Sequence, residues 1–359
     1  MSGTRIFEGI VGNRAALRLL ERALRSGEVS HAYLFHGPEG VGKRTVARRF
    51  GAALVAGGDE AALGRALRGL HPDLTEVEPE GAFTTIGQVR EVLRLAASRP
   101  FEGSRRVFVL RADTLNLQAA NALLKTLEEP EGEAVFLLLA ASREAVLPTI
   151  ASRAQAVRFD PVPVGEVAGF LARRGFAEAG LAAALGRGSV GLALRYAGGE
   201  LGELREAVLE AALGPLGDFE DVHRAAGRIT ALAERVGEAR EREALSAAEE
   251  PDRAARERAR RAGRAARDGA VREALGLLCS VYRDAAAVAA GAPELVINAD
   301  RGEELRRIVR ERPGADWAGA AARAGEAALD LSYNVSPEAI LEVTLSELRR
   351  KTSANSPAW

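Results

Sequence analysis

The sequence predicts an α/β protein, with a parallel-sheet nucleotide-fold domain followed by a small helical lid and a C-terminal all-α domain. Three observations carry that prediction. Apolar strand-like runs alternate with helical patterns from Ile6 to about Pro161, the signature of a doubly wound sheet. A glycine-rich turn joins the first of these runs to a helix. From Leu201 to Arg350 no clear strand pattern remains, and Ala, Leu, Glu and Arg dominate as they do in helix bundles. At 359 residues the chain exceeds one ordinary core, so two or three domains are expected.

In chain order, the runs Tyr33–Phe35, Leu74–Val77, Val107–Leu110, Val135–Leu139 and Ala156–Phe159 read as buried parallel strands, because they are short, apolar and rich in β-formers. Pro161-Val162-Pro163 marks a joint. Short helices then surround a Gly186-Arg187-Gly188 turn, and Gly198-Gly199 is the next hinge. The expected domains are therefore residues 1–162, 163–200 and 201–351, with 352–359 as a loose tail. Within the bundle, Arg235 to Arg272 mixes Arg, Glu and Ala and predicts one long exposed helix laced by i,i+4 ion pairs, in preference to a basic DNA-binding surface. Near the end, Ser336 is the expected N-cap and Pro337 the first residue of a last helix.

Composition narrows the function. Forty-nine basic and fifty acidic residues give a net charge of -1, which argues against tight DNA binding through charge alone. No signal-peptide core and no uninterrupted apolar span occurs, so a cytoplasmic chain without a membrane helix is expected. Cys279 is the single cysteine; it reads as a small buried hydrophobe and excludes a disulfide within the chain.

The chemistry-bearing segment is Gly37-Pro38-Glu39-Gly40-Val41-Gly42-Lys43-Arg44-Thr45. Gly37, Gly40, Gly42 and Lys43 meet the glycine and lysine requirements of a phosphate-binding loop, in which backbone N–H groups cradle phosphates and the lysine reaches the terminal ones. The slot after the lysine should carry the hydroxyl that coordinates magnesium. Arg44 fills it, and Thr45 comes one residue late, on another side of the helix. A second requirement of a P-loop ATPase also fails. Where the strand Val107–Leu110 ends, the metal-holding and catalytic acids are replaced by Leu110 and Arg111, and the nearest acid, Asp113, lies beyond the strand. Losing the hydroxyl and both carboxylates removes the metal site that stabilises phosphoryl transfer.

The string Asp113-Thr114-Leu115-Asn116-Leu117-Gln118-Ala119-Ala120-Asn121-Ala122-Leu123-Leu124-Lys125-Thr126-Leu127-Glu128-Glu129-Pro130 resembles the signature of bacterial DNA polymerase III clamp-loader subunits. His31–Pro38, the His71-Pro72-Asp73-Leu74 turn, Arg99–Gly103 and Pro148–Arg153 follow in the order that family shows, and the likeness spans roughly residues 6 to 200. Among its members the chain is most similar to the delta-prime type, whose magnesium and hydrolysis residues are commonly degenerate. The resemblance implies an AAA+ fold with a helical collar. It also implies a place in a pentameric ring with delta and gamma/tau subunits, acting on a sliding clamp and primed DNA within the polymerase holoenzyme.

By the same resemblance, Arg153 after Ser152 is an arginine finger directed at a neighbour's nucleotide. ATP would bind weakly here if at all and without hydrolysis. The family's Ser-Arg-Cys pattern ends in Ala154 in this chain. Its four-cysteine zinc module is replaced by the cysteine-free stretch Gly57–Leu70, which predicts no zinc, a short helix or loop instead, and His71 as a turn cap. In the lid segment Gly191 stands where an active ATPase has arginine. Two other readings remain open at this point. If Thr45 or Asp113 restored magnesium binding, the chain would be an active AAA+ ATPase, a clamp-loader motor or helicase loader; alternatively it would be an interaction module that binds nucleotide without turnover.

Overall fold

The computed structural model describes residues 6–79, 83–130, 132–215, 217–246, 252–331 and 335–353. The chain divides into two compact units, Met1–Leu194 and Arg195–Trp359.

The first unit is an α/β fold built on five parallel strands, β1 (Ala32–His36), β2 (Leu74–Val77), β3 (Arg106–Arg111), β4 (Ala134–Ala140) and β5 (Gln155–Arg158), in the order β2-β3-β4-β1-β5. In register, Leu34 lies between Leu138 and Ala156. Strand residues alternate between two covered faces, and this is why the runs read as continuously apolar. On one face Tyr33, Phe35, Val107 and Leu137 pack with α1 (Arg14–Ser26) and α2 (Lys43–Ala56), Tyr33 meeting Phe50 edge-on at 5.2 Å. On the other, Leu34, Leu110 and Leu138 pack with α4 (Ile86–Ala96) and α5 (Leu117–Glu128), and Phe108 stacks on Phe136 at 5.6 Å.

Local chemistry sets the helix starts. Asp59 accepts from the Ala61 and Ala62 amides and so caps α3 (Glu60–Leu67), the short helix that occupies the cysteine-free stretch. Thr85 and Gln88 form a reciprocal capping box on α4, and Asn116 accepts from the Ala119 amide to open α5. All five expected strands are present. β3 is longer than its apolar run, because Arg111 still pairs with Leu139, while β5 stops at Arg158, one residue before Phe159. After the short α6 (Pro148–Ala151) and β5 come α7 (Val164–Arg173), α8 (Ala179–Leu185) and α9 (Val190–Ala197). The turn between α8 and α9 uses positive φ at Arg187 (48°) and Gly188 (84°).

The second unit is helical throughout its described residues: α10 (Gly202–Leu213), α11 (Phe219–Ser246), α12 (Arg253–Ala289), α13 (Gly302–Glu311), α14 (Trp317–Asp330) and α15 (Pro337–Thr352), with two 3-10 turns before α13. α12 supplies Leu275, Leu278, Val281 and Tyr282 to its core, and the Tyr282 ring stacks on Trp317 at 6.2 Å. A buried polar knot closes the loop before α13. Asp284 accepts from the Ile297 amide (3.1 Å), the Asn298 amide (2.8 Å) and the Asn298 side chain (2.8 Å), while Arg205 reaches Asn298 and Asp300.

Three expectations are corrected here. The stretch Arg235–Arg272 belongs to two helices, α11 and α12, which run antiparallel with Gly237 against Gly263. A Cβ on Gly237 would stand 2.8 Å from the Gly263 carbonyl, so these glycines let the two backbones approach. Cys279 is half-buried rather than buried. Ser336 and Pro337 do stand at the N-cap and first helical position of α15 as expected, although the Ser336 side chain makes no capping bond. Thr352, expected in the tail, is the buried last residue of α15 and donates to the Leu348 carbonyl; residues 354–359 lie outside the described ones.

Candidate functional site

In an open parallel sheet the natural binding position lies outside the carboxyl ends of the strands. Here the loop Gly37–Gly42, leaving β1, meets the ends of β3 and β4 around a cavity of about 500 Å³ whose wall also includes Val190 and Gly191. The loop has its required glycines. Gly37 (φ 144°) passes so close to β5's exit that a Cβ would lie 1.9 Å from the Phe159 carbonyl oxygen, and Gly42 (φ 101°) takes a left-handed conformation at the N-cap of α2. Gly37→Ala should therefore lower the urea midpoint of the first unit by a shift equivalent to about 2–4 kcal/mol, combining backbone strain with overpacking; an unchanged midpoint would show that the turn relaxes freely.

The groups that would receive a phosphate are engaged with the protein itself. The Lys43 ammonium donates to the Pro38 carbonyl at 2.6 Å and to the Gly37 carbonyl. Burial pulls its pKa down, against the opposing pull of Glu39 and Asp113. The Gly191 amide donates to the Gly40 carbonyl at 3.0 Å, and the Ser189 hydroxyl occupies the space a side chain at position 40 would need. Arg44, in the magnesium hydroxyl's slot, turns away to β2 and its exit, pairing with Glu76 at 2.9 Å and with Glu78, while Arg48 reaches Glu76 at 2.5 Å. Thr45 is exposed on the same helix.

At the end of β3 the Leu110 side chain is buried in the core, and Arg111 holds Asp113 two-pronged, at 3.0 and 3.1 Å. The second Asp113 oxygen also accepts from the Ala141 amide at 2.8 Å. Both oxygens of Asp113 are thus committed to the chain, and a permanent cation stands beside the position a metal ion would take. Glu39 faces the same guanidinium at 3.5 Å. Each carboxylate that lines this cavity among the described residues, Glu39, Glu76, Glu78 and Asp113, stands against an arginine.

Arg153 lies elsewhere and does not line this cavity. It follows α6, and its Nη1 donates to the Thr149 carbonyl at 2.9 Å and approaches the Ser152 hydroxyl at 3.4 Å. Nη2 meets the Glu128 carboxylate, the last residue of α5, at 2.6 Å. The guanidinium stays about one-third exposed, at 34%, so it is oriented rather than buried. Ala154 packs partly buried against the core beneath α5. Sequence reasoning passed over Glu128, although it sits in the string that carried the resemblance.

It also passed over Asp73. That buried carboxylate accepts from the amides of Phe101 (2.7 Å), Glu102 (2.9 Å) and Gly103 (2.9 Å) and lies 3.4 Å from Arg106. His71 caps the same turn, its Nδ1 accepting from the Asp73 amide at 3.2 Å, and its Nε2 stands 3.3 Å from Glu102. The His-Pro-Asp turn and the Arg99–Gly103 segment are therefore one device that anchors the chain ahead of β2 and β3.

Residues 12–163 match the family model described as DNA polymerase III, delta subunit. A DNA polymerase III subunit delta' of Pseudomonas aeruginosa is 41% identical over 135 residues, which is 34% of this chain and 41% of that protein. The subunit delta' of Bacillus subtilis is 31% identical over 154 residues, 41% of this chain and 47% of that protein. The matches thus span less than half the length of these curated relatives. A crystal structure of a DNA polymerase III gamma subunit-related protein from Thermotoga maritima aligns with a TM-score of 0.48 at 18% identity, covering 93% of this chain and 99% of that one.

Proposed function

We propose, for a chain whose residues 12–163 match the family model described as DNA polymerase III, delta subunit, and resemble curated delta' subunits, that the protein is a delta-prime-type clamp-loader subunit, a catalytically silent stator which completes a neighbouring subunit's ATP site. The observation that carries this reading is the Arg111–Asp113 pair at the end of β3. A guanidinium beside the metal's position repels Mg²⁺ and consumes the one acid left there, so the charge developing on a transferred phosphoryl group would go uncompensated. Nucleotide, if admitted, would have to displace the Lys43–Pro38 and Gly191–Gly40 bonds and would bind weakly without turnover. The cysteine-free α3 segment offers no thiolate for the four-cysteine zinc module.

The active group is instead Arg153. Its fork is charged at every working pH and matches phosphate oxygens in pairs. Glu128 and the Thr149 carbonyl hold it at the surface, where a neighbour's nucleotide could exchange with the carboxylate. The partners would be delta and gamma/tau subunits in a pentameric ring, acting on a sliding clamp and primed DNA, with 201–351 as the collar. The purified chain should show no ATP turnover above background with magnesium present. A rate on the order of 1 s⁻¹, the low end for competent enzymes, would refute the silent-stator reading.

A further inference from the structure

We propose that His223, Glu338 and Glu342 form a site for a divalent transition-metal ion of the Zn²⁺ type, joining α11 to α15. One ligand atom from each residue lies within 4.8 Å of the others. The His223 Nδ1 already touches a Glu342 carboxylate oxygen. Glu338 and Glu342 are four residues apart on α15 and so lie on one face of that helix, where like charges destabilise each other. Among the described residues, neither carboxylate is paired with a lysine or arginine. The next residue on α11, Arg224, is turned to its own acid, Asp221, at 2.9 Å. Two carboxylates thus converge on one imidazole, three metal-ligating side chains with no lysine or arginine paired to either acid among the described residues.

A divalent cation answers that arrangement. One imidazole nitrogen and two carboxylate oxygens are the donor set of three-ligand sites that keep further positions for water, and an imidazole favours Zn²⁺, Co²⁺ or Ni²⁺ over Mg²⁺. The ligands come from the second turn of α11 and the first two turns of α15, so a bound ion would tie the start of one helix to the start of the other. All three side chains reach solvent, and the ion would exchange readily. This site is of a different kind from a four-cysteine module and does not depend on the nucleotide-site reading.

The test is calorimetric titration of ZnCl₂ into the chelator-stripped full chain, alongside thermal melts with and without the ion. One saturable ion per chain is expected, with a melting temperature that rises with zinc concentration because only the folded unit presents all three ligands. His223→Ala and Glu338→Gln change exposed side chains, so both variants should fold. Each should weaken the titration by at least the ~10–100-fold that losing even an outer partner of a metal ligand costs, and each should abolish the melting shift. The absence of saturable binding at millimolar zinc would overturn the proposal. So would binding of undiminished affinity in His223→Ala, since the zinc would then sit on His31, His36, His71 or carboxylates elsewhere.

Discussion

Asp73→Ala is expected to destabilise the first unit by about 3–5 kcal/mol, the range seen when one member of a buried charged pair is removed. The substitution strips three backbone amides of their acceptor and leaves Arg106 without the carboxylate at 3.4 Å. Against the ~5–15 kcal/mol that holds an ordinary domain folded, this is a large fraction, and urea denaturation followed by circular dichroism would register it as a lowered midpoint. The same carboxylate predicts a pH dependence. Burial alone would raise its pKa, but the amide donors and Arg106 outweigh that and hold it below the ordinary aspartate value. Below about pH 4, the ordinary aspartate pKa, the unfolded chain takes up the proton before the folded one. Stability from Asp73 is complete above that pH and declines as acid is added, through the depressed native pKa. Asp73→Asn should lower the midpoint at neutral pH and flatten this acid limb; an acid limb as steep as that of the wild type would assign it to other groups.

The strands were legible because a sheet covered on both faces writes each strand as an uninterrupted apolar run, as in Phe136–Leu139. The glycines of the loop were legible because their spacing carries their conformation. The partners of the replaced residues were not. Arg44 finds Glu76 and Glu78 more than thirty positions away, and Asp73 finds its amides 28 to 30 positions away. No local periodicity encodes such pairings. The single long helix expected over Arg235–Arg272 failed for a related reason. Arg, Glu and Ala are good helix formers on both sides of the break, and the close approach of Gly237 to Gly263 exists only once the two helices fold back.

Arg153→Ala should leave the fold intact, since the lost ion pair with Glu128 is half-exposed and such pairs contribute only ~0–1 kcal/mol. Its effect should appear in the assembled loader. An arginine supplied in trans can accelerate phosphoryl transfer by ~10³-fold or more, and the site facing this chain would lose that acceleration. In the proposed ring the total rate should fall only in part, because other sites would keep their own arginines. Arg153→Lys should recover little, as an ammonium keeps the charge and loses the planar fork. Glu128→Gln should fall between wild type and Arg153→Ala, since it frees the guanidinium without removing it.

The most direct measurement sets two substitutions side by side in the reconstituted complex: Lys43→Ala in this chain's own loop and Arg153→Ala on its outer surface, with assembly verified for each. If the protein works only on a neighbour's nucleotide, Lys43→Ala hydrolyses ATP at the wild-type rate and Arg153→Ala is slowed. A loader slowed by Lys43→Ala and unaffected by Arg153→Ala would contradict the account, because it would locate the chemistry in the loop that Arg111 and Asp113 are here held to have silenced.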